Sequence, residues 1–438
     1  MRIDKLKRRR NCSLPVVAVV LWAFLFGAFV YKFKIIAELP YTWSKLWYKG
    51  LELGTSDIEK NEAFEIYSRT SLEQTKNDTG AEDTMPTFKD HLGDCDIFDG
   101  KWVFDDVARP LYREEECEFL TAQVTCMRNG RTDSRYQSWK WEPNGCSLPK
   151  FNASMLLKRL TNKRLMFVGD SLNRNQWESM VCLVQSAVPN GRKILTKTES
   201  LQIFRIEDYN ATVEFYWAPF LVESNSDDPR IHSIATRIIS PESVEKHGVH
   251  WINVDYLIFN TYIWWMNTDT MKVIEKRGSP FVEIERPVAY RRVLTTWSKW
   301  IEENVDPKKT SVFFMSMSPL HIRSEDWNNP KGIKCAMETM PIINATMPAG
   351  AATDHSLLTV AREVTGKTVV PVQFVDITAL SELRKDAHTS VHTIRQGKMV
   401  SPEQQADPQT YADCIHWCLP GLPDTWNELI YARIMSTK

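Results

Sequence analysis

The sequence RLMFVGDSLNRNQWESM, residues 164–180, contains a serine placed as a nucleophile would be. A continuous apolar run at 165–168 ends in Gly-Asp-Ser at 169–171, and a helical pattern begins directly afterwards. The carboxyl ends of parallel strands are where open α/β proteins bind ligands. There Ser171 would stand at a helix N-terminus, whose free backbone N–H groups can stabilise a developing oxyanion. The alternative is that Ser171 only caps the helix.

A serine nucleophile needs a general base and a group that orients the base. Of the nine histidines, His416 alone has an aspartate three residues earlier, in YADCIHWCLPGLPDTWN. On a helical turn this spacing would place Asp413 and His416 on one face. His321 is the alternative base, but it has no aspartate three residues earlier, as His416 has. We interpret His321 as a structural or substrate-facing residue.

Other residues near these motifs are candidates for oxyanion and substrate binding. Asn260 ends the apolar run VDYLIFN and should emerge at the same sheet edge as Ser171, unless it is an ordinary turn residue. Arg174 lies one turn after the serine, or on a solvated helix face. Two tryptophans follow the Asn260 strand and could stack on a sugar ring or close the core. The predicted binding set is Gly169, Asp170, Arg174, Asn260, Trp264 and Trp265.

Strand-like apolar runs recur beyond residue 152 with helical patterns between them. They lie at 165–168, 254–259, 312–317 and 369–376. Their continuous rather than alternating apolar character is typical of parallel strands that are covered on both faces. The sequence therefore predicts an α/β fold with a mainly parallel sheet.

The N-terminus has the pattern of a membrane anchor. Six basic residues within the first ten precede the apolar run LPVVAVVLWAFLFGAFVY at 14–31. This run is close to the minimum length for a transmembrane helix, and the basic flank should stay in the cytosol. We therefore predict a cytosolic tail at 1–13, a transmembrane signal anchor at 14–31 and a lumenal body. A cleaved signal peptide is the alternative.

The lumenal part divides by composition into three segments. Residues 32–92 are polar and predict a stem, and residues 93–151 contain four cysteines and several turn residues. Residues 152–438 form the predicted catalytic domain.

The cysteines and sequons agree with a lumenal location. Cys12 lies in the predicted tail, and the other eight cysteines are an even set, as four disulfides would require. Metal ligation is the alternative, but their spacing lacks zinc-ribbon pairs, so we predict no metal site. Four lumenal sequons are candidate glycosylation sites: Asn77, Asn152, Asn210 and Asn344.

Composition argues against one class of partner. The 438 residues carry a net charge of -1, whereas nucleic-acid-binding proteins usually present a basic face. We expect no nucleic-acid partner.

Four motifs together resemble the plant trichome-birefringence-like family. They are CDIFDGKWVFDDVARPLY, WKWEPNGCSLPKFN, FVGDSLNRNQWES and DCIHWCLPGLPDTWNE, and the resemblance covers about residues 93–438. The segments NTYIWWMN and MSMSPLHIRSEDW resemble the xylan-acetylating members in particular. The resemblance implies Golgi polysaccharide O-acetyltransferases with an SGNH/GDSL-hydrolase-like, three-layer α/β/α domain. One departure is that Tyr262 and Ile263 follow Asn-Thr, where many relatives have Gly-His.

The resemblance also implies roles for individual residues. It makes Ser171 the nucleophile and Asp413 and His416 the rest of the triad. It pairs Cys95 with Cys146, Cys117 with Cys182, Cys126 with Cys418, and Cys335 with Cys414.

The function expected from this resemblance is acetyl transfer to O2 or O3 of xylosyl residues through an acetyl-serine intermediate. No bound cofactor is expected. The acetyl donor would be acetyl-CoA or an acetylated intermediate supplied by a membrane acetyl-transport partner. The expected location is the Golgi membrane, as a single-pass type II protein. The alternatives are transfer to mannan, xyloglucan or pectin, a polysaccharide acetylesterase with the same triad, and a non-enzymatic protein that binds wall polysaccharide.

Overall fold

The computed structural model describes residues 95–231, 234, 236–276, 278–343 and 353–436, which belong to a compact unit at Met85–Lys438. The predicted cytosolic tail, anchor and stem, and the sequons Asn77 and Asn344, lie outside the described residues. Among the described residues, no helix is both long and apolar enough to cross a membrane.

The strands and helices alternate through most of the described chain. The strands are β1 (Gly100–Phe104), β2 (Trp139–Pro143), β3 (Arg164–Gly169), β4 (Lys193–Thr198), β5 (Leu201–Ile206), β6 (Ala211–Trp217), β7 (Ile238–Ile239), β8 (Tyr256–Asn260), β9 (Thr270–Ile274), β10 (Phe281–Glu285), β11 (Ser311–Met315), β12 (Val372–Val375), β13 (His388–Ser390), β14 (Ile394–Arg395), β15 (Lys398–Met399) and β16 (Asp413–Trp417). The helices are α1 (Ala153–Arg159), α2 (Ser171–Gln185), α3 (Glu245–Gly248), α4 (Arg286–Asn304), α5 (His355–Lys367), α6 (Thr378–Glu382), α7 (Pro402–Gln405), α8 (Pro408–Tyr411) and α9 (Leu422–Ser436).

A seven-stranded sheet has the order β12-β11-β8-β3-β6-β5-β4. The first five strands in this order run parallel to one another, and β5 and β4 add to one edge as antiparallel strands. The four apolar runs in the sequence correspond to β3, β8, β11 and β12. In β3, every residue after the first is buried, because neighbouring strands and helices cover both of its faces.

Helices pack on both faces of this sheet. Trp177 of α2 contacts Phe215 of β6, and Trp297 of α4 contacts Phe259 of β8. Phe215 is aligned with Phe167 of β3, whereas Phe259 is aligned with the next residue, Val168. Successive side chains of a strand point to opposite faces, so α2 and α4 cover opposite sides of the sheet.

The cysteine-rich segment is joined to the α/β body by disulfides. The structure contains the four pairs that the family resemblance implies: Cys95–Cys146, Cys117–Cys182, Cys126–Cys418 and Cys335–Cys414. The second pair connects the segment to α2, and the third connects it to the residue after β16. The segment is therefore covalently joined to the helix that carries the candidate nucleophile and to the end of the strand that carries the candidate base.

Polar residues of α2 are buried in contacts with the cysteine-rich segment and with α9. The Glu178 carboxylate accepts hydrogen bonds from Thr121 of the cysteine-rich segment, at 2.9 Å from the backbone nitrogen. Ser179 donates a 2.6 Å hydrogen bond to Asp424 of α9. These contacts replace solvent on the sides of α2 that do not face the sheet.

Candidate active site

Ser171 is the first residue of α2, directly after the turn that ends β3. The helix is capped by Asp170, whose Oδ1 accepts a 2.9 Å hydrogen bond from the Leu172 backbone N–H. The alternative role of Ser171 as the cap is therefore wrong. Gly169 is required by close packing, because a Cβ at this position would lie 2.1 Å from the Asn260 carbonyl oxygen.

The structure brings Ser171, His416 and Asp413 into one hydrogen-bonded chain. Ser171 Oγ lies 2.8 Å from His416 Nε2, and His416 Nδ1 lies 2.7 Å from Asp413 Oδ2. The Asp413 carboxylate holds the proton on Nδ1, so Nε2 is free to accept the serine proton. The His416 and Asp413 side chains are 14% and 19% exposed, so this chain is partly accessible.

The expectation that Asp413 and His416 share a helical turn is wrong. Both lie in β16, and the pair is brought together by a turn at the start of this strand. Asp413 Oδ1 accepts hydrogen bonds from the backbone N–H groups of Ile415, at 2.9 Å, and His416, at 3.0 Å. This side-chain turn directs Oδ2 at the imidazole of its own strand.

The same contacts keep Asp413 ionised. Burial by itself would raise the pKa of Asp413, but the charge of His416 and the hydrogen bonds from two backbone N–H groups hold it well below its ordinary value. An ionised Asp413 is the state needed to stabilise an imidazolium at His416.

Asn175 of α2 fixes the position of β16, a role that the sequence did not reveal. Its Oδ1 accepts a 2.9 Å hydrogen bond from the Trp417 backbone N–H, and its Nδ2 donates to the Trp417 carbonyl at 3.2 Å. Two disulfides bracket the same strand at Cys414 and Cys418. The helix that carries Ser171 thereby holds the strand that carries His416.

His321, the alternative base, is a core residue and does not reach Ser171. Its ring is 1% exposed, with Nδ1 at 2.7 Å from His388 Nε2 and Nε2 at 2.9 Å from the Glu382 carbonyl oxygen. His388 lies 3.1 Å from the His416 carbonyl oxygen and stacks on Trp417. Burial lowers the pKa of His321 to about 4, so it is neutral at physiological pH. The His388 ring packs against Trp417 of β16, and the His321 ring holds His388 in this position.

Asn260 occupies the predicted edge of the sheet. It is paired in register with Gly169 and is 2% exposed. Its Oδ1 is an acceptor with no hydrogen-bond partner among the described residues, whereas an oxyanion would need the N–H groups of Nδ2 on the same amide.

The predicted roles of Arg174 and the two tryptophans agree less well with the structure. Arg174 contacts Gln123 at 2.5 Å and Glu178 at 3.7 Å, both away from the triad. Trp265 is fully buried and donates to Thr261 Oγ1 at 2.9 Å. Trp264 is 6% exposed. Both indoles therefore close the core rather than present a face on which a sugar could stack.

Asp170 is an unusual carboxylate in this site. It is completely buried, and its Oδ2 has no hydrogen-bond partner among the described residues. Burial raises the pKa of Asp170 to about 6, although the Leu172 backbone N–H acts in the opposite direction. Elsewhere, no three His, Cys, Asp or Glu side chains of the described ranges are grouped as metal ligands.

Comparison with known proteins places this geometry in a family. Residues 148–433 match PC-Esterase, a GDSL/SGNH-like acyl-esterase family found in Pmr5 and Cas1p, and residues 93–147 match the PMR5 N-terminal domain. The chain belongs to this family.

Individual relatives agree with the resemblance seen in the sequence. Xylan O-acetyltransferase 6 of Oryza sativa subsp. japonica is 63% identical over 350 residues, which cover 78% of this chain and 63% of the relative. Xylan O-acetyltransferase 2 of the same plant is 59% identical over 348 residues, with 78% and 70% covered. Protein trichome birefringence-like 31 of Arabidopsis thaliana is 44% identical over 355 residues, with 81% and 86% covered.

These relatives confirm the predicted membership of the trichome-birefringence-like group. The chain spans 63% and 60% of the lengths of Xylan O-acetyltransferases 6 and 7, so it matches less than two thirds of either.

Proposed function

We propose that this protein is a xylan O-acetyltransferase that acts through an acetyl-serine intermediate. The observation that carries the proposal is the Ser171–His416–Asp413 chain, with contacts of 2.8 Å and 2.7 Å, in a member of an acyl-esterase family. Relatives up to 63% identical are named xylan O-acetyltransferases.

In the first half-reaction Ser171 takes the acetyl group from the donor. His416 Nε2 removes the hydroxyl proton as Ser171 Oγ attacks the acetyl carbonyl carbon, and Asp413 stabilises the imidazolium. The bond from the acetyl carbon to the leaving group then breaks, and His416 returns the proton to that group. The Ser171 backbone N–H and the Asn260 amide are the candidate donors for the oxyanion. Loss of one such donor typically costs about 3 kcal/mol of transition-state stabilisation.

In the second half-reaction a xylosyl O2 or O3 hydroxyl takes the acetyl group. His416 removes the proton of the sugar hydroxyl, and the sugar oxygen attacks the carbonyl carbon of acetyl-Ser171. The acyl bond to Ser171 Oγ breaks, and the serine recovers its proton from His416.

The test is mass spectrometry of the lumenal protein incubated with an acetyl donor and then with xylo-oligosaccharides. We expect an acetyl group on Ser171 that moves to xylose. Ser171→Ala should lose the adduct and transfer while remaining folded. Asp413→Asn should slow both steps by roughly 10⁴-fold, because the amide favours the wrong imidazole tautomer.

A control variant tests whether the effect at Asp413 is local. Asp227 also contacts a histidine, His247, at 3.3 Å, but the other ring nitrogen of His247 faces the Tyr216 hydroxyl, at 3.2 Å, instead of a serine. Asp227→Asn should retain transfer per folded molecule. Transfer by Ser171→Ala at the wild-type rate would contradict the mechanism.

A polysaccharide acetylesterase is the second candidate, favoured by the family's description as acyl-esterases. The same triad would serve, with water instead of a sugar hydroxyl attacking acetyl-Ser171. Loss of the adduct to water with unmodified xylose in solution, and release of acetate from acetylated xylan, would favour the esterase.

We further propose that the acetyl donor is acetyl-CoA or an acetylated intermediate from a membrane partner, used on the lumenal side of the Golgi membrane. Support comes from the anchor pattern at 14–31 and from four disulfides, which are typical of an oxidising compartment. Xylan acetylation in Golgi vesicles that carry the tagged protein would test this placement.

A further inference from the structure

Arg237 presents a half-buried guanidinium close to the carboxyl edge of the central sheet. It directly precedes β7, and its Cζ lies 3.9 Å from the centroid of the Trp264 ring. Its Nη1 donates a 2.8 Å hydrogen bond to the Trp264 carbonyl oxygen. Stacking and this hydrogen bond fix the plane of the guanidinium.

A chain of packed side chains connects Arg237 to the strand that precedes the nucleophile. The Trp264 ring packs edge-on against Trp217, with ring centroids 5.4 Å apart. Trp217 ends β6 and is paired in register with Gly169, two residues before Ser171. The negative charge of Asp170 also acts on Arg237 and partly offsets the effect of burial on its pKa. Arg237 therefore lies on the β6 side of the site.

Arg237 has no carboxylate partner among the described residues, unlike the most buried arginines of the molecule. Arg109 pairs with Glu428, and Arg384 pairs with Asp386. Burial without such a partner lowers the pKa of Arg237 to about 10. A partly buried cation without a paired carboxylate is destabilising, and charged groups perturbed in this way are common at functional sites.

We propose that Arg237 is a substrate-binding residue that pairs with an anionic group, a carboxylate or a phosphate, of a molecule bound at Ser171. This inference rests on the proposed function. With Nη1 held by the Trp264 carbonyl, the remaining guanidinium N–H groups can form a fork that matches two oxygens of one anion. A uronate on an acidic xylan acceptor and the phosphates of an acyl-CoA donor are the two sources of this chemistry.

The experiment measures binding by calorimetry in a Ser171→Ala background, so that no turnover occurs. The acceptor probes are a uronate-bearing xylo-oligosaccharide and the same oligosaccharide without the uronate. The donor probes are coenzyme A and pantetheine, which lacks the phosphates. Each probe is tested with Arg237, Arg237→Gln and Arg237→Lys.

We expect Arg237→Gln to weaken binding of one anionic probe at least tenfold and to leave its neutral counterpart unchanged. The anionic probe that is affected identifies the source. Arg237→Lys should recover only part of the loss, because lysine keeps the charge without the planar fork. Higher salt should weaken the anionic probe for Arg237 but not for Arg237→Gln.

Arg230→Gln is the matched control. Arg230 is 74% exposed and already pairs with Asp228 at 2.9 Å, so its removal gives the same change in net charge away from the site. Equal affinities for Arg237 and Arg237→Gln, equal losses on neutral and anionic probes, or no binding of either anionic probe would each overturn the proposal. Absence of acetyl transfer by the wild-type protein would instead overturn the proposed function and leave the binding result intact.

Discussion

At the scale of single residues, the site combines a carboxylate that is easily ionised with one that is not. Asp413 receives two backbone hydrogen bonds and faces His416, which holds its pKa well below the ordinary value. Asp170 is buried with one oxygen unpaired, and its pKa is raised to about 6. The difference in environment assigns Asp413 to the charge-stabilising role and makes Asp170 a cost to the fold.

The first prediction concerns this cost. The pKa of Asp170 is higher in the folded than in the unfolded chain, so the unfolded chain loses its proton first as pH rises. The stability that the protonated carboxyl contributes is present below about pH 4 and is lost as pH rises through 6. The shift corresponds to about 3 kcal/mol.

Asp170→Asn keeps an oxygen that can cap the Leu172 N–H and removes the titration. We expect the variant to match the wild type near pH 4 and to exceed its free energy of unfolding at pH 7 by about 3 kcal/mol. Urea unfolding of both proteins across this range is the measurement. The two proteins share every other titrating group, so the difference between their pH profiles reports the titration of Asp170. Parallel pH profiles for the two proteins would contradict the assignment.

At the scale of elements, β16 is held from several directions at once. Asn175 of α2 binds the Trp417 backbone, and His388 of β13 approaches the His416 carbonyl from the other side. The short strand lies outside the seven-stranded sheet and pairs with β13 in a two-stranded sheet, so its position depends on α2, β13 and two disulfides. Its position relative to Ser171 is a property of this assembly.

The second prediction isolates one of these contacts. Asn175→Asp keeps the acceptor for the Trp417 N–H but places an oxygen against the Trp417 carbonyl, so the second hydrogen bond is lost. We expect kcat to fall by roughly 10- to 100-fold with little change in KM, because His416 loses its alignment with Ser171. The free energy of unfolding should fall by about 1–3 kcal/mol. Steady-state kinetics and urea unfolding measure the two effects.

Asn304→Asp is the control for this prediction. Asn304 also donates its amide hydrogen to a backbone carbonyl, that of Trp300, but at the C-terminal end of α4. Its substitution should leave kcat unchanged. A loss confined to KM in Asn175→Asp would show that Asn175 does not position the base.

The elements themselves could be predicted from the sequence to a large extent, and their relations could not. Continuous apolar residues located β3 and β8, and Gly-Asp-Ser located the turn before α2. The pairing of Asp413 with His416 was found from their spacing, but the spacing suggested a helix where the chain forms a strand. Local periodicity could not reveal that Asp413 bonds backbone N–H groups two and three residues later.

The contacts that position β16 could not be predicted from the sequence for a related reason. Asn175 and Trp417 are 242 residues apart in the chain, and an asparagine in a helix carries no sign of its distant partner. Likewise, the sequence makes Trp264 and Trp265 candidates for sugar stacking, whereas the structure buries both in the core. Whether an aromatic residue faces solvent depends on the packing of several segments and not on its own type.

At the scale of the whole molecule, the cysteine-rich segment completes the α/β body instead of forming a separate unit. Cys126 and Cys418 are 292 residues apart in sequence, and their disulfide joins the segment to the end of β16. Cys95 and Cys146 close a loop of 51 residues inside the segment itself. The two disulfides therefore differ in whether they touch the strand that carries the base.

The third prediction uses this difference to separate stability from activity. In the chain-entropy model, loss of either disulfide destabilises the protein by roughly 4–6 kcal/mol, with the larger value for the longer loop. Only the Cys126→Ser/Cys418→Ser variant removes a constraint on β16. We expect it to lose most of its acetyl transfer per folded molecule, whereas Cys95→Ser/Cys146→Ser should keep it.

Thermal unfolding gives the folded fraction, and initial rates at a temperature where both variants are folded give the activity. Equal activity losses in the two variants would mean that the disulfides act through global stability alone, and that α2 and β13 suffice to hold His416 beside Ser171.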